Sequence, residues 1–151
     1  MSRWALLLAI CGGCTPVLGE PVREYAPDTW AAAVELWEAT EGPMSRRCVR
    51  AFDRVRVQLE PRDVVALKCG GACPNACIEY PPVGAGDLTA PYPLIIADED
   101  GDVDGLLMHE LGHLGAHCAR GPWDYGHCSA YYEALGEECR PELVPRVRGS
   151  Q

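Results

Sequence analysis

Two histidines and one glutamate have the residue types and the spacing that a catalytic metal site requires. His109 and His113 are four residues apart, so a helix would place both imidazoles on the same face. Two such imidazoles can bind one zinc ion, with Zn–N distances near ~2.0–2.1 Å. Glu110 would face the same ion, where a carboxylate can take a proton from a metal-bound water. The pattern therefore predicts zinc-dependent hydrolysis with Glu110 as the general base.

A catalytic zinc also needs a third protein ligand and one open position. The nearest candidate is His117, but it lies eight residues beyond His109. On an unbroken helix that separation is about 12 Å along the axis, at about 1.5 Å per residue. His117 could therefore bind the same ion only if the helix broke at Gly115 and the chain turned back.

His127 is the candidate that a second argument favours. Cys118 follows the predicted metal helix and Cys128 follows His127, so a Cys118–Cys128 disulfide would hold His127 beside the other two histidines. Closing such a short loop is worth ~2–3 kcal/mol in the chain-entropy model. The sequence thus predicts a metal site formed by His109, His113 and His127. A carboxylate could serve instead, and the candidates are Asp124, Glu133, Glu137 and Glu138.

These residues resemble the sites of known zinc peptidases. The HELGH segment over 109–113 resembles the HExxH motif of zincin-type metallopeptidases. The segment after it resembles the third-ligand segment of SprT-like minimal metallopeptidases, through His127, Tyr131, Tyr132 and Leu135. The resemblance covers residues 94–138 and implies a zincin-like fold and a peptide or protein substrate. Similarity to metzincins is weaker, because Gly115 and His117 depart from the metzincin spacing and no methionine follows the motif.

The first residues have the layout of an export signal. A positive residue, Arg3, precedes a short apolar run over residues 4–10, whereas a membrane-spanning helix needs about 20 apolar residues. The segment that follows resembles a bacterial lipoprotein signal, in which cleavage precedes a cysteine that then carries lipid. This cysteine would be Cys14. We therefore expect a signal peptide over 1–13, a Pro-rich tether over 14–27 and one domain over 28–151. The protein would be a lipoprotein of the periplasm or cell surface, or otherwise secreted.

Charge and cysteine content restrict the partners and the compartment. The net charge of −9 disfavours a nucleic-acid partner, because an acidic surface repels phosphate. Nine cysteines, of which seven follow Cys14, indicate a disulfide framework in an exported protein. Seven is an odd number, and Cys14 would be an eighth partner if it carried no lipid. Disulfides are also the favoured interpretation of Cys69, Cys73 and Cys77, whose even spacing would otherwise suggest a second metal site.

Hydrophobic periodicity predicts a single α+β domain. We expect helices over 28–40, 106–116 and 129–138, strands over 54–59, 64–67 and 94–97, and a loop over 81–93. Before the metal helix, Asp100, Asp102 and Asp104 match the opening of an EF-hand loop, which makes calcium a possible second ion. Position twelve of that loop is Leu111 instead of glutamate, and acidic residues also suit a helix N-terminus.

Two other functions agree with the same residues. A non-catalytic exported cysteine-rich binding protein could use zinc only structurally, with four protein ligands and no open position. It could also bind no metal and rely on its disulfides alone. Near the predicted site lie Tyr125, Tyr131 and Tyr132, and a hydroxyl of one of them could stabilise an oxyanion. Core packing or substrate stacking is the favoured interpretation of each.

Overall fold

The computed structural model describes residues 19–70, 75–79, 92–121 and 126–141. In this part of the chain six helices surround a four-stranded mixed sheet, which confirms the predicted α+β class. The predicted signal peptide and Cys14 lie outside the described residues. Most of the loop predicted over 81–93 lies outside them as well.

The sheet has the strand order β1-β2-β4-β3. Its strands are β1 (Glu20–Pro21), β2 (Arg56–Glu60), β3 (Ala76–Glu79) and β4 (Leu94–Asp98). The two central strands, β2 and β4, are parallel, and each edge strand is antiparallel to its neighbour. Ile95 and Ala97 face one hydrophobic cluster, while Leu94 and Ile96 face another, because successive side chains point to opposite faces. The apolar run at 94–97 is thus confirmed as a strand buried on both faces.

The helices of the described residues agree with the prediction in three places. They are α1 (Val22–Tyr25), α2 (Pro27–Glu41), α3 (Arg46–Arg54), α4 (Arg62–Lys68), α5 (Val103–Arg120) and α6 (Ala130–Ala134). Helices α2 and α5 extend beyond the predicted bounds, whereas α6 ends earlier than expected. Residues 20–25, which the sequence placed in the tether, form β1 and α1, and Val22 is fully buried.

The strand predicted over 64–67 is wrong, because these residues belong to α4. The segment begins after Pro61, whose fixed φ suits a helix start, and Asp63 lies in the first turn, where its charge favours the helix dipole. Only Val65 is buried in this helix, and Leu67 is 82% exposed. One buried residue in seven gives no helical stripe to detect, and two adjacent β-branched valines favour a strand by propensity alone.

Helix α5 lies at the centre of the domain and packs against α2, α3 and the sheet. Its leucines at 107, 111 and 114 are fully buried in the main core cluster, as their spacing predicted. The helix begins at Asp102, whose carboxylate accepts a hydrogen bond from the Gly105 N–H at 3.1 Å. The element that carries the predicted metal ligands is therefore fixed on several sides.

The described residues contain three disulfides, and these correct the predicted Cys118–Cys128 bond. The pairs are Cys48–Cys118, Cys69–Cys77 and Cys128–Cys139. Cys118 pairs with α3 because that helix packs directly against α5. Cys73 lies outside the described residues. Three disulfides are typical of an oxidising compartment. None of the described helices has both the length and the apolar character needed to cross a bilayer.

Candidate metal centre

Helix α5 brings His109 and His113 to one face, as their spacing predicted. Their Nε2 atoms are 3.2 Å apart. The helix runs without a break to Arg120, so it does not turn back at Gly115. His117 consequently lies outside the histidine group that could hold a metal ion.

His127 completes the group from a different element, the segment just before α6. Its Nε2 atom lies 3.3 Å from Nε2 of His113, and the candidate ligand atoms of the three histidines all lie within 4.8 Å of one another. Two nitrogens on a tetrahedral zinc at ~2.0–2.1 Å would be ~3.3–3.4 Å apart. The two measured separations fit that geometry. Three histidines are thus close enough to hold a metal ion.

The backbone around His127 takes an unusual conformation. His127 has φ of 51°, in the left-handed region, and is the only non-glycine residue with positive φ among those described. Such a conformation costs of order 1–3 kcal/mol and persists only where the surroundings hold it. Here the Cys128–Cys139 disulfide follows directly, and the Arg140 N–H donates to the Gly126 carbonyl at 2.6 Å. The disulfide that holds the third histidine is therefore the one to Cys139.

The sequence offered Glu137 as a candidate third ligand, but its carboxylate contacts the Nδ1 atoms of two imidazoles and not their Nε2 atoms. Its Oε1 is 2.6 Å from Nδ1 of His109, and its Oε2 is 2.9 Å from Nδ1 of His127. It therefore contacts the ring nitrogens that point away from the Nε2 group. Among the other carboxylates, Glu133 and Glu138 are exposed and do not join the metal group, and Asp124 lies outside the described residues. Sequence spacing did not indicate this role for Glu137.

Glu110, which follows His109 on α5, is buried, with 4% of its surface exposed. Burial raises the pKa of its carboxyl to about 8, and the nearby charge of Glu137 adds to the shift. Within the described part of the chain, no residue hydrogen-bonds this carboxylate. A bound dication would favour the charged form and oppose the shift.

Tyr131 and Tyr132 pack against the metal helix, and the Tyr132 ring also contacts all three imidazoles, with ring centroids 5.6 Å from His109, 5.3 Å from His113 and 4.5 Å from His127. The hydroxyls of the two tyrosines donate to the carbonyls of Met108 and His109, at 2.8 and 3.0 Å, and both tyrosines are fully buried. The rings approach so closely that a Cβ at Gly112 would be 2.5 Å from Tyr131. These tyrosines therefore pack against the helix, and Tyr125 lies outside the described residues.

The acidic turn before α5 gathers no second metal group among the described residues. Asp102 caps the helix, and Asp104 accepts a hydrogen bond from the Thr29 hydroxyl. Asp98, at the end of β4, is fully buried and pairs with Arg62 at 2.7 Å. These carboxylates thus have structural partners.

Comparison with known proteins gives no match: no family model, no curated protein and no solved structure is similar to this chain.

Proposed function

We propose that the protein is a zinc-dependent metallopeptidase that hydrolyses peptide bonds outside the cytoplasm. The observation that carries the proposal is the convergence of three imidazoles, from His109, His113 and His127, on one point. The buried Glu110 directly follows His109 in the chain. The resemblance of the HELGH segment to zincin-type peptidases, and of the His127 segment to SprT-like ones, supports the same assignment.

Zinc is the ion we propose, because imidazole nitrogens in a tetrahedral arrangement suit it better than they suit calcium or magnesium. In the described residues, no fourth histidine, cysteine or carboxylate joins the three histidines. Three protein ligands with one open position are the arrangement of a catalytic zinc, whereas a structural zinc has four. This difference favours catalysis over a purely structural site.

The bound ion would polarise a substrate carbonyl and lower the pKa of a water molecule. Glu110 would accept the proton of that water as it attacks the carbonyl carbon, and would then deliver it to the leaving amine. The buried position of Glu110, directly after His109 in the chain, supports this role. Two of the three histidines lie on α5 and the third lies in the segment before α6, and together they would hold the metal ion in a fixed position.

The partners follow from the charge and the compartment. We propose a peptide or protein substrate. The three disulfides favour an oxidising environment, where the protein would meet this substrate. The net charge of −9 disfavours nucleic acid as a partner. A lipid on Cys14 would attach the protein to a membrane, and without it the protein would be secreted.

The metal site is tested by metal analysis of protein purified from an oxidising compartment without a polyhistidine tag. We expect about one zinc per chain, bound through three histidine ligands. The variants His109→Ala, His113→Ala and His127→Ala should each lose most of the zinc. His117→Ala is the matched control and should keep it. A wild-type zinc content near zero, or full retention by His127→Ala, would contradict the proposed site.

Catalysis is tested with zinc-loaded protein on unfolded casein and on mixed quenched fluorescent peptides. Removing a general base typically lowers the rate by about 100- to 10,000-fold, so Glu110→Gln should lose turnover while keeping its zinc. The exposed Glu138→Gln is the control and should retain the wild-type rate. Full activity of Glu110→Gln would show that another group activates water.

The alternative is a non-catalytic exported cysteine-rich binding protein with a structural zinc or no metal. The three disulfides are compatible with it, because they stabilise an exported domain whether or not it catalyses a reaction. A structural site would leave no position for a hydroxamate. Cobalt-substituted protein distinguishes the two functions: its absorption spectrum should change on hydroxamate addition if one position is open, and should stay unchanged if it is closed.

A further inference from the structure

One carboxylate, that of Glu137, contacts two of the three histidines. Its Oε1 lies 2.6 Å from His109 Nδ1 and its Oε2 lies 2.9 Å from His127 Nδ1. His109 belongs to α5, whereas His127 precedes α6, so the two histidines come from separate elements. Both oxygens of a single side chain therefore connect the helix that carries the motif to the loop that supplies the third histidine.

These contacts determine which nitrogen of each ring carries the proton. An ionised carboxylate only accepts hydrogen bonds, so Nδ1 of His109 and of His127 must be the donor in each contact. In a neutral imidazole the other nitrogen, Nε2, then has its lone pair available. Nε2 is the atom that each ring directs toward His113. Glu137 thus favours the tautomer in which both rings can bind a metal ion.

The position of Glu137 is itself fixed by the chain around it. Its backbone N–H donates to the Tyr132 carbonyl at 3.0 Å, and the preceding Gly136 has φ of 79°, which suits the turn after α6. The Cys128–Cys139 disulfide closes the segment that contains it. His127 is adjacent to Cys128, so the disulfide holds the third histidine and its carboxylate partner in one closed unit.

We infer that Glu137 is a positioning residue of the metal site, which holds the imidazoles of His109 and His127 in the orientation and tautomer that metal binding needs. The inference rests on the proposed function, because it takes the three histidines to be metal ligands. Carboxylates behind metal-binding histidines typically change metal affinity by 10- to 100-fold, and here one carboxylate supports two of them.

The test uses zinc affinity, measured on the full folded protein by competition with a chromogenic chelator. In Glu137→Gln the amide NH₂ would face one Nδ1–H, so that ring must turn away or move its proton to Nε2, where it blocks the metal. We expect the affinity for zinc to fall about 10- to 100-fold. The exposed Glu138→Gln is the matched control and should bind zinc as the wild type does. Glu137→Asp should fall between them, because its shorter side chain keeps the charge but reaches only one ring.

Cobalt provides a spectroscopic measurement of the same effect. The visible absorption band of the cobalt-loaded protein should shift in Glu137→Gln and stay in place in Glu138→Gln, because only the first change reorients a ligand. A Glu137→Gln variant with wild-type zinc affinity and an unshifted band would overturn the inference while the proposed function stood. A wild-type protein that binds neither zinc nor cobalt would overturn both.

The tautomers are measurable without any variant, which keeps the inference testable if Glu137→Gln fails to fold. Long-range proton–nitrogen correlation spectra of the metal-free wild type report which ring nitrogen carries the proton. We expect His109 and His127 to carry it on Nδ1. Protons on Nε2 of both rings would overturn the inference whatever the variants show.

Discussion

Gly112 is the position where one added methyl group tests how the metal helix is held. In Gly112→Ala the new Cβ would lie 2.5 Å from Tyr131 Cε1 and 2.9 Å from Tyr132 Cζ, closer than real contacts allow. Both rings are fully buried, so neither can move aside into solvent. Each hydroxyl is also hydrogen-bonded to a carbonyl of α5, at Met108 and His109, so a shift of either ring endangers those bonds.

The expected change in the free energy of unfolding is the sum of two effects that lower it and one that raises it. Overpacking a filled core costs about 1–3 kcal/mol. Weakening one of the tyrosine hydrogen bonds adds about 1 kcal/mol. Replacing glycine by alanine inside a helix returns about 1 kcal/mol, because the unfolded chain has less freedom to lose. We therefore expect Gly112→Ala to lower the free energy of unfolding by about 1–3 kcal/mol.

Urea unfolding of the metal-free protein, followed by circular dichroism, measures this change. Ala119→Gly provides the control, because it makes the reverse exchange at an exposed position of the same helix. It should lower the free energy of unfolding by at most about 1 kcal/mol. If Gly112→Ala were instead more stable than the wild type, the two tyrosine rings would not pack against Gly112 and the account of the helix would be refuted.

Two further predictions concern the disulfide beside the site and the ion pair that the buried Asp98 makes with the exposed Arg62. Replacing Cys128 and Cys139 together by serine should lower the zinc affinity, because His127 loses the support for its positive φ, and should lower the free energy of unfolding by about 3 kcal/mol. The Asp98→Asn variant should be less stable at pH 7, because the hydrogen bond from Arg62 holds the pKa of the Asp98 carboxyl below its usual value. The ionised Asp98 carboxylate stabilises the fold above the usual carboxyl pKa, and this stabilisation is lost as the pH falls through the lowered pKa. The difference in free energy of unfolding between wild type and variant should therefore shrink in acid.

Chelator competition and urea midpoints at several pH values check these two predictions. The Cys69–Cys77 disulfide is the matched control for the first, because it also closes a short loop but does not flank the histidine group. Its removal should cost stability without changing the zinc affinity. Equal loss of zinc in both disulfide variants would contradict a specific role for Cys128–Cys139. If Asp98→Asn lowered the free energy of unfolding by the same amount at pH 7 and pH 3, the carboxylate charge would contribute nothing to stability.

Local patterns predicted the elements whose faces are buried in a regular way. The leucines of α5 recur at helical spacing, and β4 is an unbroken apolar run, so both elements were predicted at nearly their observed positions. Prediction was wrong for α4, which buries only Val65 and therefore has no periodic stripe. It also missed α3, where the apolar residues Cys48 and Phe52 are outnumbered by exposed arginines.

The sequence by itself determined that His109 and His113 share a helix face, because a spacing of four follows from helix geometry alone. It also indicated His127, through its place in a motif-like segment. Only the tertiary structure decided how His127 arrives there, because disulfide pairing depends on which helices touch, and Cys118 faces α3. The same holds for Glu137, whose two hydrogen bonds join residues 28 and 10 positions away and leave no trace in local spacing. Long-range contacts of this kind arise from packing, which no short pattern encodes.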